Sequence, residues 1–135
     1  MREADLLALH ECFPARYPVL LESVSGEESL VRQDVLFALP GERLAQLPDG
    51  SLAGDVREAA AGGRFLDALD RWVARESGAN DVVPNEAVFA SGWFLYLGYE
   101  LAGEIEPTLR LPGSLLPRAV AWRMRGALLR DRRTR

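Results

Sequence analysis

Proline and glycine divide this sequence into short apolar runs and so limit the elements that the chain can form. Residues 3–11 have the spacing of a short helix, which Pro14 and Pro18 end. The next apolar run, 19–21, predicts a buried strand because it is short and is flanked by turn-forming residues. The start of the chain is therefore expected to fold as a helix followed by a strand.

Two further strands are predicted before the middle of the chain. Residues 35–37 form an apolar run that Pro40-Gly41 closes, and residues 44–47 form a third run before a Pro-Asp-Gly turn. The Ala- and Gly-rich stretch 51–63 is interpreted as a connector with room for one helical turn. After it, residues 65–73 carry apolar side chains at helical spacing and predict an amphipathic helix of about three turns.

The second half of the chain again favours strands. Residues 93–97 lie between glycines and predict a buried strand, and residues 101–106 predict a short helix that Pro107 ends. Residues 119–129 alternate well enough for a pair of strands, with a turn or bulge at Gly126. The order of strands, helix and strands favours an α+β fold, in which flanking helices cover an antiparallel-rich sheet, over a regular doubly wound sheet.

Length and composition are typical of one soluble globular domain. The chain has 135 residues, of which 48% are hydrophobic, and this is enough to bury a core. No apolar run reaches the roughly 18–20 residues that span a membrane, and charged residues follow Met1 where a signal peptide would be apolar. The single cysteine and the net charge of −4 favour a cytoplasmic protein that binds neither nucleic acid nor membranes.

The residues that usually carry chemistry do not combine into a site. His10 and Cys12 are two residues apart on a helix, so they point in different directions and predict neither a metal site nor a nucleophile with its base. Glu100 and Glu104 are four apart on a predicted helix and could share one face for acid–base work, although a solvated face is the alternative. No catalytic residue and no metal ligand is therefore predicted in this chain.

Three segments together resemble the component I subunits of the anthranilate synthase and aminodeoxychorismate synthase family. Residues 17–23 (YPVLLES) resemble the LLES strand near the start of those subunits, and residues 92–100 (GWFLYLGYE) resemble their segment rich in glycine and tyrosine. Residues 30–36 lie where the family has a short strand containing arginine, and residues 117–129 resemble the stretch that follows. Residues 1–135 are therefore interpreted as the amino-terminal domain of such a subunit.

The departures from the family pattern bear on which biosynthetic branch of the family, para-aminobenzoate or tryptophan, the chain resembles. Glu100 stands where aspartate is common, and Ser91 takes the place of the first glycine. Residues 104–112 look closer to the para-aminobenzoate branch than to the tryptophan branch. Anthranilate synthase component I remains an alternative, and an alternative of another class is a stand-alone, non-catalytic module that binds an amino acid or a protein. A predicted strand close to Arg135 without a following partner favours a natural chain that continues.

The resemblance implies an activity for the parent enzyme that this chain does not perform alone. The parent would aminate chorismate to 4-amino-4-deoxychorismate, for para-aminobenzoate and folate synthesis, with ammonia from a glutamine amidotransferase subunit. In this family the residues that bind chorismate and Mg²⁺ lie in the carboxyl-terminal catalytic half, so this segment is expected to bind no cofactor. The two halves together form one larger chorismate-utilising β-sandwich fold with flanking helices.

The resemblance also implies an amino-acid ligand site. The family holds a tryptophan molecule against its amino-terminal portion, and Glu22 and Ser23 match the strand end that contacts this ligand. Arg32 lies near a basic contact of the family. An ammonium group would suit the carboxylate of Glu22, and a carboxylate would suit Arg32. The alternative is that Glu22 and Ser23 only end a strand.

Overall fold

The computed structural model describes residues 5–23, 33–76 and 92–131. The described residues form an α+β fold with an antiparallel, strongly curled sheet and a few helices, as the sequence predicts. The elements in chain order are α1 (Leu6–Cys12), β1 (Val19–Leu21), β2 (Gln33–Gln46), β3 (Leu52–Gly54), α2 (Arg57–Ala60), α3 (Phe65–Glu76), β4 (Gly92–Leu97), a 3₁₀ turn (Tyr99–Leu101), α4 (Ala102–Ile105) and β5 (Ala119–Asp131).

The strand order in the sheet is β1-β2-β5-β4, and β3 also pairs with β2. The chain divides into two compact units. The first unit contains the described parts of residues 1–41, 86–92 and 124–135, and the second contains those of 42–85 and 93–123. None of the described helices is long and apolar enough to cross a membrane.

β2 differs from the sequence prediction, because it runs through Pro40-Gly41 and joins the second and third predicted strands. Leu39, just before the proline, has a φ of +55°, in the left-handed region that few residues with a side chain adopt. Its N–H donates to the carbonyl of Arg16, at 3.0 Å, instead of following a regular ladder. The backbone thus accommodates Pro40 by a local kink at Leu39, and the strand continues where the sequence predicts its end.

β5 and β4 also depart from their predictions. Residues 119–131 form one strand, and Gly126 lies inside it without a positive φ, so no turn divides the predicted pair. The strand predicted at 93–97 is present, but it is not buried along its length. The side chains of Leu95 and Leu97 are 47% and 53% exposed.

The core of the second unit forms around α3, the amphipathic helix that the sequence predicts. Phe65, Ala68 and Trp72 are fully buried on one face, as expected for residues three to four positions apart. The ring of Trp72 meets that of Trp93 edge to face, with the ring centroids 5.8 Å apart. The other buried members of this core are Leu44, Val56, Leu101, Ala119 and Ala121.

The connector predicted at 51–63 contains both β3 and α2. β3 pairs with β2 in a register that sets Gly54 opposite Leu44. Gly54 has a φ of +141°, and a Cβ atom at this position would lie 1.9 Å from the backbone carbonyl oxygen of Arg43. Only glycine permits this close approach of the two strands.

Glu58 on α2 holds a buried ion pair with α3. Its side chain is 5% exposed, and its carboxylate oxygens accept hydrogen bonds from Arg75 Nε at 3.1 Å and Arg75 Nη2 at 3.3 Å. Burial by itself would raise the pKa of this carboxyl. The hydrogen bonds from Arg75, from the backbone and from Arg57 outweigh burial, so the pKa of Glu58 lies below its usual value of 4.5.

Glu58→Gln is expected to lower the free energy of unfolding at pH 7 by about 1–2 kcal/mol, because the charge-assisted hydrogen bonds to Arg75 are lost. The folded-state pKa of Glu58 is depressed, so its contribution is present above the unfolded-state pKa and is lost as the pH falls through the lower folded-state pKa. Urea unfolding at a series of pH values tests this. A difference between the two proteins that does not shrink below pH 4.5 would contradict the assignment.

Candidate amino-acid ligand site

Glu22 and Ser23 lie directly after β1, in the first unit, where the sequence predicts a strand end. β1 pairs with β2 in antiparallel register, with Leu21 opposite Val35. Continued by two residues, this register sets Ser23 opposite Gln33, the first residue of β2, and the backbone N–H of Ser23 donates to Asp34 Oδ1 at 3.0 Å. The backbone of the predicted ligand site is therefore fixed by the carboxylate of Asp34.

Asp34 is a fully buried carboxylate with a strong cationic partner. Its side chain has no exposed surface, although an isolated buried charge is costly. Arg130, 96 residues later on β5, donates from Nε to Asp34 Oδ2 at 2.8 Å, and its Nη2 donates to the same oxygen. Asp34, on β2, is thus bonded both to Arg130 on β5 and to Ser23, which follows β1.

Arg130 also lies beside Glu22. Its Nη2 is 3.6 Å from Glu22 Oε1, and the side chain of Glu22 is 42% exposed. The cluster therefore places two carboxylates around one guanidinium, with the buried carboxylate held closer than the exposed one. Glu22 is therefore the carboxylate of the two that a cationic ligand group could reach.

Arg32, the predicted basic contact, lies outside the described residues. Within the first unit, the structure places the guanidinium of Arg130 beside Glu22. Neither Arg130 nor Asp34 is among the predicted site residues. Asp34 carried a detectable signal, because it alternates with the apolar Leu36 on a predicted strand and so falls on the buried face. Arg130 carried no such signal, since its partner is distant in the chain.

His10 and Cys12 do not act together. His10 Nδ1 lies 2.7 Å from the carbonyl oxygen of Tyr17, and because a carbonyl can only accept, Nδ1 donates the hydrogen. Cys12, at the end of α1, is exposed. Within residues 5–23, 33–76 and 92–131, no three His, Cys, Asp or Glu residues converge in a group that could hold a metal ion.

The side chain of Glu104 caps a helix and does not pair with that of Glu100. Its Oε1 accepts from the backbone N–H of Phe65 at 2.8 Å and its Oε2 from that of Leu66 at 3.2 Å. Oε1 also accepts from Gln46 Nε2 at 2.7 Å. The carboxylate therefore caps the first turn of α3 from a distant part of the chain, whereas Glu100 lines a separate pocket.

No protein-family model and no curated protein matches this sequence. The family resemblance therefore depends on the segments of the chain itself.

Proposed function

We propose that this chain is the amino-terminal scaffold and amino-acid-binding portion of an aminodeoxychorismate synthase component I. The observation that carries the proposal is the strand end at Glu22 and Ser23, which is held by the buried pair of Asp34 and Arg130. This pair fixes the strand end at which the resemblance places the amino-acid ligand. The resemblance of residues 17–23 and 92–100 to the family supplies the rest of the support.

The charges of the cluster suit the ammonium group of an amino acid. Glu22 is the more exposed of the two carboxylates and can accept hydrogen bonds from a ligand. Asp34 occupies Arg130 with two hydrogen bonds, so the guanidinium weakens the negative charge of Glu22 only in part. In this proposal Glu22 binds the ligand ammonium, and Ser23 and Arg32 lie around the ligand.

Exposed apolar side chains in the second unit support a partner half. Leu97 at the end of β4 is 53% exposed, Tyr99 in the next turn is 93% exposed and Ile105 on α4 is 72% exposed. Large apolar groups that lie together at a surface are typical of contact sites. In the proposed parent enzyme, the carboxyl-terminal catalytic half would cover them.

The parent reaction needs groups outside this chain. Chorismate and Mg²⁺ would bind the carboxyl-terminal half, and a glutamine amidotransferase subunit would supply ammonia. The described residues do not fit a metal site, because their carboxylates and their histidine do not converge on one point. Because the proposal assigns the catalytic residues to the carboxyl-terminal half, the 135-residue chain alone is expected to be inactive.

The activity is tested on the continuous parent chain, with these 135 residues as the control. Each protein is incubated with chorismate, Mg²⁺ and ammonia, and the products are identified by mass spectrometry and by anthranilate fluorescence. Aminodeoxychorismate from the parent alone is the expected result. Anthranilate would assign the protein to the tryptophan branch instead. No product from either protein would overturn the synthase assignment and favour a stand-alone binding module.

A further inference from the structure

We propose that a second pocket, between Glu100 and Arg118 in the second unit, binds a small free α-amino acid by both of its charged groups. The pocket has a volume of about 210 Å³, and its lining residues include Glu100, Ser114 and Arg118. It shares no residue with the cluster at Glu22, and the inference does not depend on the proposed synthase function.

Arg118 is held in place before any ligand arrives. Its Nε and Nη2 donate to the carbonyl of Pro48 at 3.1 and 2.8 Å. Its backbone is fixed on both sides, because its carbonyl accepts from Gly98 N and its N–H donates to Gln46, each at 2.8 Å. Both of the side-chain bonds go to one oxygen, and Nη1 lies 3.4 Å from the point that a Cβ atom at Gly50 would occupy.

Glu100 supplies the opposite charge. One of its carboxylate oxygens lies 2.9 Å from the point that a Cβ atom at Gly98 would occupy, so the absence of a side chain at Gly98 leaves room for it. Within residues 33–76 and 92–131, Glu100 forms no ion pair with Arg118 or with another cation. Glu100 is therefore open to a ligand, whereas Arg118 also lies near the exposed carboxylate of Asp49, whose pKa is lowered by hydrogen bonds from Ser51 and, to a smaller extent, by Arg118.

The chemistry of the lining fits a zwitterion. An α-ammonium group would bind Glu100, and an α-carboxylate would bind Arg118. Ser114 Oγ already accepts from Leu116 N at 3.1 Å, so its hydroxyl hydrogen can be donated to the same carboxylate. A ligand with only one charge would bind only one of the two charged side chains. The pocket should therefore select against it.

The rest of the lining limits the size of the ligand. Leu109 and Leu111 offer apolar contact for a short aliphatic side chain, and Gly113 lacks a side chain that could fill the space. Together with the volume of the pocket, these residues favour a small aliphatic amino acid over an aromatic one.

The test is a titration of the 135-residue chain with L-alanine, followed by NMR of the backbone amides. Propionate and ethylamine are the matched probes, because each keeps only one of the two charged groups of alanine. Alanine is expected to shift the amides of Gly103, Gly113 and Ser114, and each analogue to bind at least about tenfold more weakly. Glu100→Gln should weaken alanine binding by about tenfold or more, and should leave propionate binding unchanged.

Two further variants complete the experiment. Ser114→Ala removes only a hydroxyl and should weaken alanine binding about threefold to tenfold. Glu42→Gln, at an exposed position of β2, is the control and should bind alanine as the unmodified chain does. Absence of amide shifts, equal binding of alanine and propionate, or unchanged binding in Glu100→Gln would overturn the proposal. The chorismate assay does not affect these outcomes, so the two proposals can fail separately.

Discussion

Asp34→Ala is expected to lower the free energy of unfolding by about 3–5 kcal/mol, the cost of removing one partner of a buried ion pair. The change leaves the guanidinium of Arg130 without its closest acceptor and the N–H of Ser23 without its hydrogen bond. It also removes a side-chain ion pair between β2 and β5 in the first unit. Urea unfolding followed by circular dichroism measures the loss.

The control for Asp34→Ala is Asp70→Asn, at an exposed position of α3, which should change stability by less than about 0.5 kcal/mol. The double variant Asp34→Leu with Arg130→Met replaces the pair by apolar groups and should recover much of the lost stability. A loss below about 1 kcal/mol for Asp34→Ala would show that water screens the pair, and the cluster would then lose its role as a fixed base for Glu22.

Local patterns predicted the helices well. α3 forms where the apolar spacing predicts it, because one helix face with Phe65, Ala68 and Trp72 can be read within a few turns of chain. α1 begins after Asp5, whose carboxylate accepts from Ala8 N and caps the helix. Each of these interactions spans at most a few residues, so the sequence contains the whole signal.

The long strands could not be predicted in the same way. Pro40-Gly41 and Gly126 are strong local signals for an end or a turn, and yet β2 and β5 pass through them. Sheet pairing between distant segments decides this outcome, and it overrides the local preference. The kink at Leu39, with its hydrogen bond to Arg16, shows how β2 accommodates the proline.

The candidate ligand site was predictable only in part. Glu22 and Ser23 follow β1 as the pattern and the resemblance imply, but the groups that hold them come from β2 and β5. The hydrogen bonds of Arg130 to Asp34 span 96 residues, and no spacing rule reaches so far. The same holds for Glu104, whose position on a short helix suggested a carboxylate pair, while its three hydrogen-bond partners lie 38–58 residues away.

Glu104→Ala is expected to lower the free energy of unfolding by about 3 kcal/mol. The substitution leaves the N–H groups of Phe65 and Leu66 without their acceptor, and it removes the oxygen that accepts from Gln46. It also removes a negative charge from the amino-terminal end of α3, where the helix dipole favours one. Thermal and urea unfolding should agree on the size of the loss.

Two variants separate the capping role of Glu104 from a general effect of removing a glutamate. Glu106→Ala removes an exposed carboxylate that accepts hydrogen bonds from the backbone N–H and the hydroxyl of Thr108, and it should cost less than about 1 kcal/mol. Glu104→Gln keeps one carbonyl acceptor but not the charge, so its cost should lie between those of the two alanine variants. Equal losses in Glu104→Ala and Glu106→Ala would contradict the capping role. A loss of stability confined to the Glu104 variants would show that α4 fixes the start of α3. The helix face that carries Trp72, around which the core of the second unit packs, would then depend on this contact.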